Sequence, residues 1–85
     1  MSELKQKEAD EIVKKISNLF ETSNFDQLKE YILKIIKKYP NWDFPYSALG
    51  ISLVRNNNIS DAEKYFTKAV NINPTTKNLN NLGAF

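Results

Sequence analysis

Two prolines set the frame of this chain. Pro40 and Pro74 stand 34 residues apart, and each follows an amphipathic stretch that it brings to a stop. Ahead of Pro40, Leu28, Ile32, Ile35, Ile36 and Tyr39 recur at three- and four-residue steps, the spacing of one helix face. Moved on by the same interval, Phe25 falls on Ile59, Leu28 on Ala62, Tyr31 on Tyr65, Ile32 on Phe66, Ile35 on Ala69 and Ile36 on Val70. Core positions meet core positions, so the chain contains an internal repeat. A repeat of this length cannot bury its apolar face alone and has to stack on its neighbour.

The second copy is the clearer one. From Tyr46 to Pro74 the sequence reads as two helices joined by a short turn. In order it carries Tyr46, the pair Leu49-Gly50, Leu53, Ala62, Phe66, Ala69 and Pro74. This order resembles the tetratricopeptide repeat family, with Leu53 where the family's second aromatic stands. The resemblance implies an all-α, TPR-like α-solenoid of two antiparallel helix pairs plus the start of a fifth helix. It is laid out as a single domain over 1–85, with an irregular first repeat at about 3–40, a second at about 43–74 and a partial third at 75–85.

The residues make a physical case of their own. Tyr46, Leu49, Leu53 and Val54 share a helix face, and Gly50 interrupts it. A glycine inside a helix costs about 1 kcal/mol against alanine, so close approach of a neighbouring helix is the expected compensation. Ala62 and Ala69 flank Phe66 on the second helix, which sets a knob between two small residues.

Along the rest of the chain, Ala9, Ile12, Val13, Ile16, Leu19 and Phe20 predict a first helix over Met1–Thr22, capped by Ser2 with Glu3 at the dipole. Against the second copy it fits best at a shift of 33, which pairs Val13 with Tyr46, Ile16 with Leu49 and Phe20 with Leu53. Ser23, Asn24 and Phe25 form a turn, with Asn24 and Gln27 as a capping box for a helix over Asp26–Tyr39. Asp43 is the expected N-cap of the third helix, which runs to Asn56 with Pro45 in its first turn. Trp42 just before it packs at the junction between repeats. Asn56, Asn57 and Asn58 form the next turn, and Ser60 with Glu63 the capping box of a helix ending at Ile72. Ser52 on the same helix is expected to tolerate a larger side chain better than Gly50 if it faces outward. After Pro74, Leu82-Gly83 repeats the Leu-Gly pair, and Leu79, Leu82 and Phe85 recur at three-residue steps that one preceding hairpin cannot cover. This edge therefore predicts self-association, with a homodimer as the default, or fraying of the last segment, and the want of a polar terminal cap fits a fragment of a longer array.

Charge and composition narrow the function. Twelve basic and ten acidic residues leave a net charge of +2, and Arg55 is the sole arginine, so nucleic acid and membrane surfaces are not the expected partners. No Cys and no His are present, which removes disulfides, thiolate chemistry, zinc sites and imidazole catalysis from this chain. The polar opening SELKQKEADE does not read as a signal peptide, and a cytoplasmic location is expected. The scattered carboxylates suggest no catalytic pair in a dry cleft. Neither of the two glycines belongs to a phosphate-binding loop.

The expectation is therefore a module without enzymatic activity, cofactor or metal, binding a protein or peptide. Within the family the first helix of each repeat lines a groove. The resemblance places Val13, Ser17, Phe44, Ser47, Ile51, Val54 and Arg55 on that groove, with Asn81 at the position just before Leu-Gly. It does not extend to the carboxylate clamp of some members, whose Lys, Asn and Asn positions are Val13, Ser17 and Ala48 here. Nor does Asn81 make a ladder of asparagines, since Ala48 holds the preceding rung. Two rival expectations stand beside this one. One is the N-terminal repeat region of a larger sulfotransferase- or glycosyltransferase-type enzyme, with the activity outside this chain. The other is a self-associating structural module.

Overall fold

The structure is a computed structural model that describes residues 4–22 and 24–83. Five α-helices follow one another: α1 (Gln6–Thr22), α2 (Phe25–Lys38), α3 (Asp43–Arg55), α4 (Ile59–Ile72) and α5 (Thr76–Gly83). The expected cap at Ser2 and Glu3, the turn residue Ser23 and the apolar Phe85 lie outside the described residues.

Helix starts and stops have local causes. The Asn24 side chain accepts from the Gln27 N–H at 2.9 Å and caps α2, as its position predicts. Lys37 and Lys38 occupy the last turn of α2, where cations suit the dipole. The α3–α4 turn is closed by asparagine. Asn57 takes a left-handed φ of 62°, the Asn58 N–H reaches back to the Leu53 carbonyl at 2.8 Å and the Asn57 N–H to Val54 at 3.0 Å. That is a Schellman ending with Asn where glycine is commoner.

Two expected caps are corrected. Trp42, not Asp43, is the N-cap of α3, and no side chain caps it there. Asp43 is already helical, and its carboxylate accepts a bond from Asn78 instead. The Ser60–Glu63 box is displaced because α4 begins two residues earlier than a cap at Ser60 allows, at Ile59. Asn58 ends one helix and flanks the next, and its Nδ2 donates to Asp61 at 2.9 Å.

Each helix packs on its neighbours in the chain, with α3 against α4 the most extensive contact. Cross-contacts give the directions. Tyr39 at the end of α2 donates its hydroxyl to Glu8 near the start of α1 (2.8 Å), so α1 and α2 run antiparallel. Lys68 late in α4 lies over the Tyr46 ring early in α3 (6.0 Å), so that pair is antiparallel too. Arg55 at the end of α3 covers Phe20 near the end of α1 (5.2 Å). Asn78 early in α5 meets Asp43 early in α3. The three odd-numbered helices therefore point the same way. The shortest dimension, 19 Å, suits two helix layers whose axes stand about 8–10 Å apart.

The core runs through four helices: Ile16 of α1, Leu28 and Ile32 of α2, Ala48, Leu49 and Leu53 of α3, and Ala62 and Phe66 of α4. Leu82 of α5 packs against its edge, while Leu79 stays exposed. The expected close approach at Gly50 is present. A Cβ there would lie 2.5 Å from the Phe66 ring, so only glycine lets that ring sit down on α3. Trp42 sits between Tyr39, which it meets edge to face, and Phe44, whose ring is tilted to it, with centroids at 6.3 and 5.6 Å, and closes the junction between the two helix pairs.

Ser52 does not face outward. It is 2% exposed, and its hydroxyl donates to the Leu49 carbonyl in its own helix at 2.8 Å. The reason is the position of α3: α2 and α4 cover it on two sides, so the narrow stripe of a surface helix understates its burial.

Candidate functional site

The side chains that α3 leaves uncovered form one stripe. Phe44, Ile51 and Val54 belong to it at helical spacing, half-buried at Phe44 and 37% exposed at Ile51 and Val54, while Ser47 on the same face is buried. Because α1, α3 and α5 run in the same direction, this stripe lies between two flanking helices of the same layer. Two troughs open on it, and Ile51 is a wall of both.

The first trough, of about 420 Å³, is lined from all three odd helices. Ile16, Ser17 and Phe20 come from α1, Phe44, Ala48 and Ile51 from α3, and Lys77 and Asn78 from α5. Its floor is apolar. Its α5 side is held by one buried side chain, Asn78, whose Nδ2 donates to Asp43 Oδ2 (2.8 Å) and to the Asn73 carbonyl (2.8 Å). Ser47 Oγ donates to Asn78 Oδ1 at 2.9 Å, and the Asn78 N–H donates to Thr75 Oγ1 at 3.1 Å. Both amide hydrogens and the carbonyl oxygen of Asn78 are thus engaged, as burial requires.

The second trough, of about 480 Å³, lies between the C-terminal half of α3, the start of α4 and the end of α5. Ile51, Val54, Ile59 and Phe66 make its apolar wall, with Arg55, Asn80 and Asn81 as polar groups. The Nδ2 of Asn81 is buried and has no hydrogen-bond partner among the described residues. An unmade bond of that kind costs about 1–3 kcal/mol.

Of the sequence-predicted groove residues, Ser17, Phe44, Ser47 and Ile51 meet in the first trough, and Ile51, Val54, Arg55 and Asn81 in the second. Val13 is half-buried on α1 and lines neither. Ser47 is buried with its hydroxyl committed to Asn78, so it shapes the floor rather than offering a donor. The Arg55 guanidinium leans on Phe20 and ties the ends of α1 and α3. Sequence reading missed Asp43, Thr75 and Asn78. The available signal was Asn78 itself, one helical turn before Leu82 on the inward face of α5, a polar residue where the stripe calls for an apolar one.

Among the described residues, no group of His, Cys, Asp or Glu is placed to hold a metal ion, and no helix is long and apolar enough to cross a membrane. Compared with known proteins, the sequence matches no family model and no curated protein, and the fold matches no solved structure. Among the described residues, what is defined is an all-α domain of five sequentially packed helices with troughs on the side of its odd-numbered helices.

Proposed function

We propose that this chain is a tetratricopeptide-like helical repeat unit that binds a protein or peptide segment, without catalysis, on the face shared by α1, α3 and α5. The observation that carries the reading is Ile51. It stands 37% exposed between two troughs, each within the range of about 300–1,000 Å³ that ligand sites occupy. The parallel run of the odd helices and the 34-residue offset between α2 and α4 support the repeat reading. The mixed lining supports a peptide: apolar walls take side chains, while the unpartnered Asn81 amide and Arg55 suit main-chain carbonyls and a carboxylate.

A displayed library of random peptides of about twelve residues, long enough to cross such a face, tests this on the immobilised domain. Enriched peptides are expected to bind the wild type and to lose binding on Ile51→Glu. Ile51 is exposed, so its replacement leaves the core intact. Failure to enrich any sequence, or winners indifferent to Ile51→Glu, overturns the proposal.

A further inference from the structure

Away from the grooved face, a third trough opens between α2 and α4, over α3. Its volume is about 350 Å³, and its floor is Tyr46 and Leu53 of α3, both buried. Lys29 walls it from α2, and Asp61, Lys64, Tyr65 and Lys68 wall it from α4. Lys64 and Lys68 stand one turn apart on α4, a like-charge spacing that is unfavourable on a helix. One carboxylate answers the three ammonium groups. Asp61 lies 3.6 Å from Lys64 Nζ and also accepts from Asn58 Nδ2 at 2.9 Å. Lys29 and Lys68 have no carboxylate partner among the described residues. Lys68 Nζ rests over the Tyr46 ring at 6.0 Å, and Lys29 Nζ over the Phe25 ring at 5.8 Å. Three lysines and one aspartate leave a charge of +2 around the trough. The Tyr46 hydroxyl is committed to the Pro40 carbonyl, whereas the Tyr65 hydroxyl makes no hydrogen bond among the described residues.

We propose that this trough binds a phosphorylated aromatic side chain of a partner protein. A phosphate monoester carries about −1.5 to −2 at pH 7, which matches the local charge, and its oxygens take the donors that Lys29, Lys68 and Tyr65 leave unused. The ring lies on the apolar floor of Leu53 and Tyr46. A balance of one dianion, with Asp61 on the same rim, does not suit a long polyanion such as nucleic acid. No Asn, Gln, Ser, Thr or Arg side chain lines the trough to read a base edge, which favours a phosphorylated phenol over a nucleotide. This site is separate from the grooved face and does not depend on that reading.

The probe is phenyl phosphate, titrated into the whole domain at fixed ionic strength and followed by amide shifts of Lys29, Lys64, Tyr65 and Lys68. A saturable dissociation constant of about 1 mM is expected for so small a ligand. Inorganic phosphate, which lacks the ring, and phenyl sulfate, which carries a single charge, should each bind about threefold to tenfold more weakly. Lys29→Gln with Lys68→Gln should weaken phenyl phosphate about tenfold, and Lys68→Arg, which keeps the charge, should retain it. Lys68 is exposed and Lys29 half-buried, and glutamine keeps most of each stem, so the fold stands. No saturable shift, or binding indifferent to the double glutamine variant, overturns the proposal. Inorganic phosphate or phenyl sulfate bound as tightly as phenyl phosphate also overturns it, since the ring or the second charge is then not read. Adenosine monophosphate bound more tightly than phenyl phosphate overturns it as well, because a nucleotide is then the occupant.

Discussion

Asn78 of α5 is bonded to Asp43 in the first turn of α3, its Nδ2 donating to Oδ2 at 2.8 Å, and the same amide nitrogen also reaches the Asn73 carbonyl. One side chain thus fixes the direction of α5, the loop before it and the wall of the first trough. Asn78→Ala leaves Ser47 and Asp43 facing each other without their shared partner, which costs about 1–3 kcal/mol. The loss falls on α5. Its amides should exchange about tenfold to a hundredfold faster while those of α4 change little. Equal protection in the variant would show that Leu82 packing alone holds the helix.

Gly50 tests the helix crossing. In an unstrained helix, glycine to alanine gains about 1 kcal/mol. Here the sign reverses, because the buried Phe66 ring has to move, and Gly50→Ala should destabilise by about 1 kcal/mol or more in denaturant melts. In a Phe66→Ala background, itself costing about 3–5 kcal/mol, the same substitution becomes neutral or stabilising. Additive effects in that double-mutant cycle would contradict the contact.

Ser52 separates burial from helix pattern. Ser52→Asp places a charge at a position 2% exposed and should cost about 2–4 kcal/mol. Ser60→Asp, exposed in the first turn of α4, should be neutral or gain a few tenths of a kcal/mol from the dipole, roughly 0.3. Similar melts for the two variants would mean that Ser52 is accessible.

These tests also mark where sequence reasoning stops. The extents of α2, α3 and α4, the cap at Asn24, the left-handed Asn57 and the close approach at Gly50 are all local or pairwise signals, readable from spacing and residue type. Ser52 is not, since its burial depends on α2 and α4 covering α3 together. Asp43 is a good cap by type, but its carboxylate is drawn to a residue 35 positions away. On the candidate site, the stripe Phe44, Ser47, Ile51 and Val54 follows from helical periodicity. The division into two troughs, and the Asn78 side chain that walls one of them, arises only when α5 is set beside α3.

Alkaline pH probes Tyr46. Burial first, and the neighbouring Tyr65 second, hold its phenol above the ordinary value near ~10. Its hydroxyl donates to the Pro40 carbonyl at 2.8 Å. With the folded pKa raised, the native state keeps its proton where the unfolded chain loses it. The stability contributed is complete below about pH 10 and is lost as pH rises through the folded value. Wild type should therefore be more stable than Tyr46→Phe at pH 8, with the gap narrowing towards about pH 11. Lysine titration is common to both proteins and cancels in the difference. A constant or widening gap would contradict the assignment.

The central claim is that the layer of odd-numbered helices is the binding face. An amide-shift titration of the domain with a peptide selected against it tests this most directly. The account predicts saturable shifts centred on Ser17 of α1, on Phe44, Ser47, Ile51 and Val54 of α3, and on Lys77, Asn78 and Asn81 of α5, with α2 and the outer side of α4 quiet. Shifts centred instead on Leu33 and the solvent side of α2 would contradict it.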